Sequence, residues 1–149
     1  ERESQSLKFA SYGAHKKFFL KLRGSNDLKS WGTSEFCLCI KTWLSGGEVV
    51  INNKVLFRHV NTVIVFQRNF DHVYYNKIRM AKTVLDEVDY MIFQHALPNS
   101  TYVKNAWSLI EEDSSNIEEY KEYYKTIFSH DFFWFKKKFN TTLMDPRCI

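Results

Sequence analysis

Phe36 to Leu44 is a largely apolar run held between two glycine positions, with Trp31-Gly32 ahead of it and Gly46-Gly47 behind it. A run of this kind has to be buried, and the glycines limit it to one helix of about three turns. Thr33 or Ser34 can cap that helix, Phe36, Ile40, Trp43 and Leu44 share one face, and Gly46 closes it. Glu35, the only acid between Asp27 and Glu48, falls in the first turn, where a carboxylate meets the positive end of the helix dipole.

The flanking segments differ in character. "AHKKFFLKL" places Phe18, Phe19 and Leu22 at helical spacing and stops at Arg23-Gly24, where Gly24 can supply a left-handed cap. Glu48 to Val65 is rich in β-branched residues and is interrupted by Asn52-Asn53, which predicts two short extended segments. From Phe66 onward the pattern is helical. Tyr74, Ile78, Ala81, Val84 and Leu85 mark one amphipathic helix starting near Asp71, and a second helical region ends at "LPNS". Two further helices are expected over about Tyr102 to Glu111 and Ile117 to Phe139, the latter broken near Ser129. Residues 1–65 thus read as a helix and strand region and 66–149 as a helical annex. Only 5 Gly and 2 Pro leave few hinges, so one packed unit is expected.

Composition excludes little. With 44% hydrophobic residues among 149, the chain can build one modest core. A net charge of +4 from dispersed charges suits an anionic small ligand as readily as a charged surface. Cys37, Cys39 and Cys148 fit neither a zinc site nor a paired disulfide framework, and Cys37 and Cys39 read as packing residues. No run of 18 apolar residues and no signal-peptide pattern occurs, and a chain opening on Glu1 reads as a segment of something longer.

Each chemistry-bearing residue has a plain structural reading beside its functional one. Glu35 next to Trp31 and Gly32 can accept hydrogen bonds from sugar hydroxyls while the indole flanks an apolar sugar face, or it can simply stabilise the helix dipole. His59, at the end of "VLFRHV", can ligate a divalent metal or sit hydrogen-bonded in the core edge, and Arg58 or Arg68 can meet a phosphate. His15, His72, His95 and His130 lie in no stronger pattern. The cluster "HDFFWFKKKF" can stack bases, yet Phe132, Phe135 and Phe139 form a helical stripe that a core-facing helix explains. "IEEDSSNIEEYKEYY" reads as a solvated face with Glu118–Lys121 and Glu122–Lys125 pairs. Asn99-Ser100-Thr101 and Asn140-Thr141-Thr142 are glycosylation sequons if the chain is luminal.

The order of these features resembles the C-terminal half of the catalytic domain of polypeptide N-acetylgalactosaminyltransferases and family-two-like relatives with the GT-A fold. "FFLKLRG" followed by Trp31-Gly32-Thr33-Ser34-Glu35 resembles that family's aromatic helix and its Trp-Gly-Gly-Glu-Asn block, with Ser34 at the place of the family's Glu. "KTWLSGG" resembles its stretch ending in Gly-Gly, and twelve residues beyond Gly47 stands His59, as the manganese-ligating His does in the family. "NKIRMAKTVLDEVDY", with Asn76 and Arg79, resembles its Asn-x-x-Arg-x-Ala helix, and "FFWF" its closing Phe-x-Trp-Tyr. Ala10-Ser11 takes the place of the Gly-Gly that approaches the donor sugar, and Val60-Asn61-Thr62 replaces the residues carrying the family's metal-proximal Arg.

The resemblance implies an α/β fold, the C-terminal portion of a GT-A nucleotide-diphospho-sugar transferase. It implies metal-dependent transfer of GalNAc or a similar hexose from a UDP-sugar to a protein or glycan hydroxyl. Glu35 would be catalytic, with Trp31, Gly32, Ser34, Ala10, Ser11, Arg58 and Arg68 binding substrate and His59 holding Mn2+. The nucleotide-binding strands and acidic metal motif would come from an N-terminal half outside this chain. The family implies the Golgi lumen, whereas viral or bacterial relatives would be cytoplasmic, and neither nucleic acid nor a membrane span is expected. The alternative is a non-catalytic binding module or a degenerate glycosyltransferase-derived scaffold that binds protein or nucleic acid.

Overall fold

The computed structural model describes residues 2–4, 12–30, 32–56 and 68–141. In chain order these form β1 (Arg2–Glu3), α1 (Lys16–Lys21), α2 (Ser34–Leu44), β2 (Val50–Ile51), α3 (Phe70–Val84), α4 (Glu87–Ala96), α5 (Thr101–Glu112), α6 (Ser114–Ile127) and α7 (Phe132–Phe139).

Glycine and asparagine chemistry fixes the ends of the central helix and its neighbours. After α2, Gly46 takes φ +75° and donates to Trp43 O, while Gly47 donates to Thr42 O. This paired closure satisfies carbonyls that a helix end otherwise leaves open. The Leu44 carbonyl accepts from both Ser129 N and His130 N, so the α6–α7 connection covers the same end. After α1 the same closure recurs, with Arg23 rather than Gly24 as the first left-handed residue, at φ 56°, and Gly24 following at φ 52°. Asn69, Asp86, Ser100 and Asp131 cap α3, α4, α5 and α7, each side chain accepting a backbone N–H three residues on.

α2 is the centre of the core. Every residue from Cys37 to Leu44 is buried, so the one-faced helix expected from the spacing is enclosed on all sides. Lys41 lies on that enclosed helix, and its ammonium donates to Gly24 O at 2.6 Å and pairs with Asp27 at 3.2 Å. The Tyr124 hydroxyl lies 3.1 Å from the same ammonium and donates to Asp27 at 3.0 Å. Loop, α2 and α6 are thereby joined through one desolvated ion pair. α3 packs most extensively against α5 and then α6. There the buried Arg79 donates to Asp113, Tyr75 and Asn116.

α7 behaves as its stripe predicts. Phe132 and Phe135 are buried, Phe139 meets Trp43 edge-on at 5.1 Å, and Phe133 faces outward. Lys136 pairs with the buried Asp89 of α4, and Lys138 covers the Trp43 ring while pairing with Glu3. Of the two pairs expected on α6, Lys125–Glu122 forms on the surface and Glu118–Lys121 does not form, while the neighbouring Glu119 pairs with Arg23.

The helical annex is present as expected, with the break after α6 at Phe128 to Asp131. The α/β part of the expectation is corrected. Among the described residues the only sheet is β1 against β2, an antiparallel pair of two residues each, and a parallel nucleotide-binding sheet is absent from them. Val50 and Ile51 have the residue types of a strand, but a strand needs a partner, and the described chain offers it only Arg2–Glu3. The second extended segment expected before Val65 falls largely on residues 57–67, outside the described residues. No helix among the described residues is long and apolar enough to cross a membrane.

Candidate functional site

The head of α2 is shaped by an unusual run of backbone. Ser30 has φ 42°, Gly32 φ 117° and Thr33 φ 69°, three left-handed residues within four positions. For Ser and Thr this conformation costs on the order of 1 kcal/mol each, so something must hold the loop in place.

Asn76 on α3 supplies that hold. Its fully buried side chain accepts from Lys29 N at 2.8 Å and donates to Lys29 O at 2.8 Å and Gly32 O at 3.0 Å. A Cβ on Gly32 would stand 3.0 Å from a Val73 methyl, so the close approach of loop and α3 also favours glycine. On the outer side, Ser30 Oγ and His72 Nδ1 share a hydrogen bond at 2.9 Å.

This loop delivers the first turn of α2. Thr33 is the N-cap residue, and its carbonyl accepts from Cys37 N, but its hydroxyl makes no capping bond. Ser34 opens the helix and Glu35 follows it. Two polar atoms here, Thr33 Oγ1 and Glu35 Oε2, are buried and lack any hydrogen-bond partner among the described residues. Leaving such an atom unpaired costs about 1–3 kcal/mol, and more for a charged group. Both oxygens can accept a hydrogen bond, and the helix dipole favours the carboxylate.

Gly32, Ser34 and Glu35, neighbours in the chain, stand at the head of α2. Arg68 is exposed and immediately precedes the Asn69 cap of α3, on the same helix end as His72. Trp31, Ala10, Ser11, Arg58 and His59 lie outside the described residues. Among the described residues no three His, Cys, Asp or Glu side chains gather in a metal-holding group.

Two groups that sequence reasoning passed over sit here. His72 carried no motif, and its partner Ser30 is 42 residues away in the chain, so no local spacing could have found the pair. Asn76 was legible as part of a motif, but not as the residue that clamps the loop. Cys37, by contrast, is the packing residue it reads as, with burial pushing its thiol up to about 12. No protein-family model, curated protein or solved structure matches the chain.

Proposed function

We propose that this chain is the sugar-facing and acceptor-facing part of a GT-A-type glycosyltransferase that moves GalNAc or a similar hexose from a UDP-sugar to a protein or glycan hydroxyl. The observation that carries the reading is Glu35 Oε2, a buried carboxylate oxygen without a hydrogen-bond partner among the described residues, at the end of a helix whose approach loop is pinned by Asn76. A sugar hydroxyl donating to that oxygen relieves its desolvation and fixes the ring. The residue's work is orientation and preorganised polarity, not covalent chemistry. Thr33 Oγ1 gives the same ligand a second polar contact. The order of motifs around this site supports the family assignment.

A divalent metal, when bound, offsets charge on the leaving diphosphate, and His59 would be its ligand from this chain.

Thermal unfolding with and without UDP and manganese, on this chain and on the chain extended through its upstream coding region, each also as His59→Ala and Glu35→Gln, tests the reading. Stabilisation that needs both ligands and is lost in His59→Ala supports the transferase. Absence of any shift would favour the binding-module alternative.

A further inference from the structure

Phe70, the first residue of α3, and Tyr102, in the first turn of α5, form an aromatic pair that the fold leaves open. Their ring centroids lie 5.4 Å apart at 44°, and the two residues are 43% and 50% exposed. Directly beside them, Asn105 Nδ2 donates to Asp71 Oδ2 at 3.1 Å. That bond uses one amide hydrogen and one carboxylate oxygen. Asp71 Oδ1, the Asn105 carbonyl and its second N–H make no further hydrogen bond among the described residues. Two tilted rings with an adjoining carboxylate and amide offer an apolar surface edged by both donors and acceptors.

This combination fits one ligand chemistry well. A pyranose presents a C–H face to aromatic rings and vicinal hydroxyls to a carboxylate and amide pair. A purely apolar partner would leave the Asp71–Asn105 edge desolvated without compensation. An anionic partner would meet the Asp71 carboxylate.

The platform also continues into the candidate site. Phe70 and Val73 are three apart on α3 and so share a face, and a Val73 methyl is the neighbour that a Cβ on Gly32 would meet. The first turn of α3 therefore carries both a ring of the aromatic pair and the residue that packs against the Glu35 approach loop.

We propose that Phe70, Tyr102, Asp71 and Asn105 form a carbohydrate subsite that binds a neutral pyranose of a glycan acceptor. The word acceptor rests on the glycosyltransferase reading, whereas binding of the sugar does not. The occupant is a glycan, whether free or carried on a protein.

Saturation-transfer NMR of this chain with lactose, cellobiose and N,N′-diacetylchitobiose tests it. Binding of at least one probe is expected, weakened about tenfold by Phe70→Ala or Tyr102→Ala. Asn105→Ala should weaken it as well, whereas Phe133→Ala, which removes an exposed ring on another helix, should not. No transfer to any of the three probes, or transfer unchanged in the two ring variants, overturns the subsite. The Glu35→Gln variant separates the two readings. Sugar binding that persists there without any UDP-dependent stabilisation of the parent chain leaves the subsite standing and removes the transferase.

Discussion

Asn76 holds Gly32 from 44 residues away, donating its side-chain amide to the glycine carbonyl at 3.0 Å. The same amide group forms a two-way bond with the backbone of Lys29. One buried side chain on α3 therefore sets the path by which the chain enters α2 and presents Glu35.

Replacing that side chain should damage fold and site together. Asn76→Ala strands the Lys29 N–H and two carbonyls, and a loss of about 2–4 kcal/mol is expected in urea unfolding. Gly32→Ala should cost about 1–3 kcal/mol through its left-handed backbone and the Val73 contact. A stability equal to the parent in both variants would show that the loop is held by something else.

Glu35→Gln should separate stability from ligand binding. The loss of a favourable dipole contact and the relief of an unpaired buried charge oppose one another, so unfolding free energy should move by no more than about 1 kcal/mol. If the proposed reading holds, kcat/KM for sugar transfer by the complete enzyme should fall about a hundredfold. A variant with full activity would remove Glu35 from the site.

Lys41→Met breaks the Asp27 pair inside the core. An uncompensated Asp27 carboxylate, 5% exposed, should cost about 3–5 kcal/mol, while the double variant Asp27→Leu/Lys41→Met should recover much of it. The comparison is made by denaturant midpoint at neutral pH. A single variant as stable as the parent would mean that the pair contributes packing alone.

Alkaline pH should unfold the chain early. Burial pushes Tyr75 and Tyr90 from 10.0 up to about 12, Cys37 from 9.0 up to about 12, and Tyr124 well above the usual phenol range, with Asp27 adding to the last. These groups stay protonated in the fold after the unfolded chain has begun to lose the same protons. Their stabilisation is complete below pH 9, falls as pH rises past the unfolded values, and is lost through about 12. The denaturant midpoint measured from pH 8 to 11 should drop steadily, with the Cys37 thiol unreactive to a thiol reagent until the chain unfolds. A flat profile, or rapid native-state labelling of Cys37, contradicts the burial described here.

Much of the helical half was legible because its signals are local. The stripe of Phe132, Phe135 and Phe139 lies within one helix, whereas the caps Asn69, Asp86, Ser100 and Asp131 were not foreseen, although each acts on an N–H only three residues away. The closure of α2 at Gly46 is local too, since glycine takes a left-handed backbone without the steric cost that other residues carry there. Of the β-branched run after Glu48, Val50–Ile51 forms β2, and the second expected segment lies outside the described residues. Strand propensity records fitness for a sheet, and a sheet exists only where a partner arrives.

The sequence by itself determined that the Phe36 to Leu44 run had to be buried and close at Gly46 and that the second half is helical, because apolar spacing and glycine turns depend on neighbouring residues. Only the tertiary structure decided that α2 is enclosed on every side, that Lys41 is paired with Asp27, and that Asn76 and His72 reach back to the loop ahead of Glu35. Those contacts join residues 14 to 47 positions apart, and their geometry follows from how helices pack, which no local pattern encodes.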